Sequence, residues 1–159
     1  IRDRTRTENR ARVQIYGAEL DAHWEFVPHW KLWGSVAWAN GEDLESNQRL
    51  SSVAPITSLL GLSYARDQYG ADLMLRAAAA RDKVENAGDF EAPGYGVVDM
   101  TGWWQPAELK GVKFQAGLFN ALDKKYWNAL NVPTGTLAQP DDYYSEVGRN
   151  FRVSASWQY

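Results

Sequence analysis

From Phe151 onward the chain alternates without a break: Phe151, Val153, Ala155, Trp157 and Tyr159 are apolar or aromatic, while Arg152, Ser154, Ser156 and Gln158 are polar. Side chains on a β-strand point to opposite faces with a period of two, so one face of this segment suits hydrocarbon and the other tolerates water. A terminal strand that finishes on Trp-Gln-Tyr predicts an outer-membrane β-barrel, whose apolar face meets lipid and whose interfacial aromatics lie at the headgroups. A soluble sandwich supplies the same alternation, with less reason to end on it.

Composition is compatible with that reading. In 159 residues, 17 basic and 20 acidic side chains leave a net charge of −3, so no nucleic-acid partner is implied. Mean hydropathy is negative, and no run of about 18 apolar residues exists to make a spanning helix. Neither fact bears on a barrel, because only alternate residues of a barrel strand face lipid. Eight Trp and eight Tyr supply the aromatic enrichment of such walls. The absence of cysteine excludes a disulfide scaffold and a Cys-based zinc site. The chain begins at Ile1 without an initiator Met or signal peptide, which reads as processing or as a piece of a longer protein.

Seven segments read as strands. The first spans about Arg12 to Val27, with Ala18, Leu20, Ala22, Trp24 and Phe26 on one face and Glu19, Asp21, His23 and Glu25 on the other. Val13 and Ile15 have the opposite parity, which predicts a bulge near Gly17. Pro28-His29 turns the chain into a second strand, about Trp30 to Asn40. The third, about Ile56 to Arg66, is joined to the fourth, Ala71 to Arg81, by the turn Asp67-Gln68-Tyr69-Gly70. The fifth covers Tyr95 to Trp104, with Val98, Met100, Gly102 and Trp104 outward and Asp99 and Thr101 inward; the sixth covers Val112 to Asn120.

Between these strands short turns alternate with three long polar connections, about Gly41 to Ala54, Asp82 to Pro93 and Ala129 to Glu146. Short turns at one end and long loops at the other is the asymmetry of an outer-membrane barrel. Trp24, Phe26, Trp30, Tyr64, Tyr69, Trp103, Trp104, Trp157 and Tyr159 fall near the short-turn end, and Trp38, Tyr126 and Trp127 near the long-loop end. Single-chain bacterial barrels have an even strand count, so seven strands read as the last part of a larger wall or as a barrel with one strand unrecognised. Ile1 to Arg10, with Arg2, Arg4 and Arg6 alternating, reads as an extension of the first strand.

The segment Ala116-Gly117-Leu118-Phe119-Asn120-Ala121-Leu122-Asp123-Lys124-Lys125-Tyr126-Trp127, followed by Gly148-Arg149-Asn150-Phe151, resembles the C-terminal end of TonB-dependent outer-membrane receptors. That family shows Asn-Leu-x-Asp-x-x-Tyr, then Gly-Arg and an aromatic-terminated last strand; Ala121 stands where Leu is usual. Tyr16-Gly17-Ala18-Glu19-Leu20 and Ala54-Pro55 leading to Gly61-Leu62-Ser63-Tyr64 are similar to further family segments. Phe90-Glu91-Ala92-Pro93-Gly94-Tyr95-Gly96-Val97-Val98-Asp99 and Tyr126-Trp127 resemble the heme and hemoglobin receptor branch.

The resemblance implies an all-β, antiparallel transmembrane barrel of 22 strands with a plugged lumen, of which residues 1–159 would be a partial domain without the plug. It further implies active import of heme or an iron-siderophore complex across the Gram-negative outer membrane. The partners implied are outer-membrane lipid, the heme or ferric siderophore ligand, TonB through the missing plug, and the barrel-assembly machinery through Tyr159. The alternative is a complete eight-stranded barrel with a structural or adhesive role.

Tyr143, Tyr144 and Trp127 are the candidate ligand-binding residues. Phenolate oxygen ligates ferric heme and aromatic faces stack on a porphyrin; ordinary loop packing is the competing account. His29 sits in a tight turn and reads as structural, and His23 as a lumen residue low in the barrel. The family's extracellular histidine ligand belongs to a loop upstream of this segment, so neither histidine inherits that role. Glu42, Asp43, Glu45, Asp82, Glu85, Asp89 and Glu91 carry oxygen ligands but lack the spacing of a calcium loop. Glu19, Asp21, Glu25, Asp72 and Arg76 read as lumen ionic networks. No metal site, cofactor, nucleophilic triad or phosphate loop is expected, and an outer-membrane hydrolase would need a rim histidine that His23 and His29 do not supply.

Overall fold

Alternation along each strand becomes two faces once the strands pair. The computed structural model describes residues 12–45, 48–50, 52–81, 90–133 and 137–158. Eight strands form: β1 (Val13–Val27), β2 (Trp30–Asp43), β3 (Gln48–Arg49), β4 (Thr57–Ala65), β5 (Tyr69–Ala78), β6 (Tyr95–Trp104), β7 (Val112–Phe119) and β8 (Asn150–Trp157). They make one antiparallel meander in the order β1-β2-β4-β5-β6-β7-β8, with the two-residue β3 against β2.

Two adjacent rows across the sheet show how register converts sequence into surface. Trp24, Leu32, Leu62, Leu73, Met100, Leu118 and Phe151 are successive partners on seven strands. One residue further along, Glu25, Lys31, Ser63, Asp72, Thr101, Gly117 and Arg152 form the next row, on the opposite face. A one-residue slip in any pair would mix the two rows. Leu20, Trp24, Val153 and Trp157 are all at least 65% exposed, an apolar surface that a soluble monomer rarely carries in one piece.

Aromatics girdle this apolar face toward the short-turn end. The Trp30 and Tyr64 rings lie 4.9 Å apart, Tyr64 and Tyr69 6.1 Å, and Trp104 stacks on Phe114 at 5.8 Å. At the opposite end Tyr16 meets Trp38 edge to face at 5.7 Å. Trp103 turns instead to the polar face, where the Lys113 ammonium sits 5.1 Å from its ring.

Three local expectations are corrected. The bulge is not at Gly17: pairing runs in register from Val13 with Asp43 to Glu25 with Lys31, and the shift falls at Phe26, between Glu25 and Val27. A Cβ on Gly17 would lie 2.4 Å from the Trp38 carbonyl oxygen, so glycine there answers a close strand approach. Tyr69 and Gly70 belong to β5 and not to the turn before it, because the Arg66 N–H already closes that turn on the Tyr69 carbonyl at 2.8 Å. The first long connection folds back to give β3, which pairs Glu42 with Arg49 and lengthens β2 to Asp43.

Among the described residues β1 and β8 do not pair. The described sheet is therefore open and is not closed into an eight-stranded barrel. Residues 1–10 and Tyr159, for which a strand extension and an assembly signal were expected, lie outside the described residues.

Candidate functional site

The buried apolar side chains of the core gather where the long loops meet the polar face. Val97, Asp99 and Asn120 are 1% exposed, and Ala92, Tyr126, Ala129 and Val132 are also buried. On a sheet otherwise open on both faces, this is where the chain builds a packed core.

Its polar centre is Asp99. Arg76 Nε donates to one carboxylate oxygen at 2.6 Å, and the Asn120 backbone N–H donates to the other at 2.8 Å. Asn120 takes a positive φ of 49°, a conformation asparagine tolerates better than most residues. Its side chain then bonds the Lys124 N–H at 2.8 Å and the Lys124 carbonyl at 2.7 Å. Asp123, also at positive φ, accepts the Arg149 N–H at 2.8 Å. The Asn120 to Tyr126 segment is thus a clasp that ties the end of β7 to the approach of β8.

Above the clasp, the Tyr126 ring packs 4.6 Å from that of Tyr95, and its carbonyl accepts the Glu146 N–H at 2.8 Å. Arg81, just beyond β5, reaches across to the last loop, donating through Nη1 to the Ala129 carbonyl at 2.6 Å and through Nη2 to the Phe90 carbonyl at 3.4 Å. Its backbone N–H bonds the Ala92 carbonyl at 2.9 Å. One side chain therefore holds two long connections together.

The three candidate ligand residues form one unit. Trp127 Nε1 donates to the Asp141 carbonyl at 2.8 Å, at the start of the 3-10 turn Asp141–Tyr144 that carries both tyrosines. The Lys125 ammonium pairs with Asp142 and lies 5.7 Å from the Trp127 ring, which also meets the Phe90 ring at 5.8 Å. Tyr143 and Tyr144 meet edge to face at 5.2 Å, and Tyr143 is 73% exposed. This geometry displays aromatic surface on a braced loop.

The other candidates lie elsewhere. His23 is paired opposite Trp33, and His29 occupies the Pro28-His29 turn with its ring 6.3 Å from Tyr64. Among the described residues no three His, Asp or Glu side chains converge on a metal position; Asp82, Glu85 and Asp89 lie outside the described residues. Arg76 enters the expected ionic network through Asp99, and Asp72 instead accepts hydroxyls from Ser63 at 2.5 Å and Thr101 at 3.4 Å. Arg81 was missed as a brace. Its only signal in the sequence is a charge at the last position of the expected fourth strand, which the structure ends earlier, at Ala78.

The family model described as TonB dependent receptor-like, beta-barrel matches residues 2–121. Heme/hemopexin utilization protein C of Haemophilus influenzae strain 86-028NP is 25% identical over 162 residues, covering 99% of this chain and 21% of that protein. Hemoglobin-haptoglobin-binding protein A of Haemophilus influenzae is 23% identical over 183 residues, covering 95% and 17%. Among solved structures, copper transporter OprC superposes with a TM-score of 0.81 at 24% identity, covering 92% of this chain and 24% of that one. The ferric enterobactin receptor PfeA of Pseudomonas aeruginosa superposes at 0.72 with 17% identity, covering 91% and 22%. The chain spans about a fifth of the length of the curated relatives it matches. These proteins are named as binding, utilization and transport proteins, not as enzymes.

Proposed function

The chain belongs to the TonB-dependent receptor β-barrel family of the Gram-negative outer membrane, and we propose that it supplies wall and capture rim to a receptor importing heme or a ferric siderophore. The observation that carries this reading is the two-faced meander with Phe90, Trp127, Tyr143 and Tyr144 displayed from the described loop residues at one end. Apolar rows such as Trp24 to Phe151 would face lipid, and polar rows such as Glu25 to Arg152 would face the lumen of a larger barrel. The open edges of β1 and β8 are then joined by strands of the same wall. A plug in that lumen would couple the receptor to TonB, and Tyr159 would serve the barrel-assembly machinery.

Heme is favoured among iron complexes because sequence relatives spanning nearly the whole chain are named for heme and hemoglobin. Trp127, Tyr143 and Tyr144 would contact the ligand from the rim. The role is transport, with no catalytic step. Iron-starved cells carrying the intact receptor should grow on hemin only while TonB is present. Growth on neither hemin nor a ferric siderophore, with the receptor displayed, would remove this reading.

A further inference from the structure

Between the three long connections, at the rim of the polar face, lies a cavity of about 260 Å³. Its floor is one row of the sheet, Thr57, Ala78 and Tyr95, which are successive register partners. Pro55 and Pro93 wall it on two sides and Trp127 on a third, and none of the described residues lining it is charged. The Arg81 bond to the Ala129 carbonyl and the Ala79 N–H bond to the Ile56 carbonyl, at 2.8 Å, fix its walls from outside. Two prolines and a floor of hydrogen-bonded strand residues give it a rigid shape.

Size limits what enters. An apolar cavity of about 150 Å³ accommodates benzene, whereas pockets that enclose a whole drug-sized ligand measure roughly 300 to 1,000 Å³. This cavity therefore takes one ring with its small substituents, and the rest of a larger molecule must stay outside. The lining offers hydroxyl and amide groups at Thr57, Tyr95 and Asn128 but no cation, so a carboxylate would lose its hydration without gaining an ion pair.

Building on the heme-import reading above, we propose that this cavity receives one of the two porphyrin pyrroles that carry a vinyl and a methyl group, with the propionate edge left in the open rim. Heme then enters edge first, with Trp127 against the inserted ring. The exposed Tyr143 and Tyr144 are left for the part of the macrocycle outside.

The test uses the intact receptor on whole cells, with hemin and with deuterohemin, in which hydrogens replace the two vinyl groups. Affinity is read per displayed receptor. Wild type should bind deuterohemin about tenfold more weakly than hemin, the scale of deleting a small apolar group from a fitted pocket. Ala78→Phe, which fills the cavity from its floor, should weaken hemin binding about tenfold and abolish the difference between the two porphyrins. Thr57→Leu fills the same space from the neighbouring strand, and carries the comparison if Ala78→Phe is not displayed. Wild-type hemin binding that neither variant alters overturns the edge-in assignment and leaves heme import standing. Absence of hemin binding by wild type overturns both.

Discussion

Arg76 reaches Asp99 diagonally: the register partners are Arg76 with Val97 and Met74 with Asp99, yet the guanidinium Nε lies 2.6 Å from the Asp99 carboxylate. Diagonal neighbours on one face of an antiparallel pair are within reach of long side chains. The Asp99 side chain is 2% exposed and that of Arg76 32%, so the carboxylate is the partner that water cannot compensate. Asp99 also holds the Asn120 N–H, which couples the strand pair to the loop clasp.

Asp99→Ala should cost about 3 kcal/mol, the low end for stranding one member of a buried ion pair, since Arg76 keeps some contact with water. Adding Arg76→Ala should return part of that cost, because no half-buried charge is then left alone. Thermal unfolding of the intact receptor in detergent gives the cycle, and strictly additive losses would show that the two groups do not cooperate.

The Trp33 indole lies over Gly61, its register partner on the polar face: a Cβ there would sit 2.2 Å from Trp33 Cε2. Trp33 Nε1 also donates to the Ser63 hydroxyl at 2.9 Å, which fixes the ring. Gly61→Ala should therefore destabilise by about 1 to 3 kcal/mol through overpacking and change Trp33 fluorescence. Trp33→Ala in the same chain should relieve it; a Gly61→Ala variant as stable as wild type would mean that the ring has room to move.

Val153 continues the apolar row through Gly102 and Ala116, while Ser154 is paired with Gln115 on the polar face. Val153→Arg should cost about 2 to 4 kcal/mol if it lies near the bilayer midplane, and Ser154→Arg much less. Folding into lipid vesicles measures both, and equal costs would contradict a lipid-facing assignment of this row.

Replacing Tyr143 and Tyr144 together by Ala should weaken heme binding by the intact receptor by roughly 1 to 3 kcal/mol, or about one to two decades. Surface display should hold, because Tyr143 is exposed and the loop is braced through Trp127 and Asp141. Unchanged affinity in a whole-cell titration would assign both rings to loop packing.

Everything that depends on a period of two is legible along the chain before any strand is paired. The alternating apolar positions of the long strands, from Leu20 in β1 to Val153 in β8, lie on a single face, and strand ends could be read to within a few residues. Such information is local, since the alternation, the turn residues and the aromatic ends are written in consecutive positions. The motif around Asn120 and Asp123 was visible too, but only as a resemblance; that it is a clasp requires Asp99 and Arg149 to arrive from other strands and loops.

Tertiary structure decided what depends on pairs far apart in the chain. Gly17 looked like a bulge because parity changes beside it, and only the approach of Trp38 reveals a contact constraint. Arg81 becomes a brace through a carbonyl 48 residues away, and Trp127 joins the two tyrosines through Asp141. The rim cavity needs three connections at once. No residue lining it carries that arrangement in its neighbours along the sequence, because packing of loops onto a sheet is fixed by shape and hydrogen-bond satisfaction after the strands have paired.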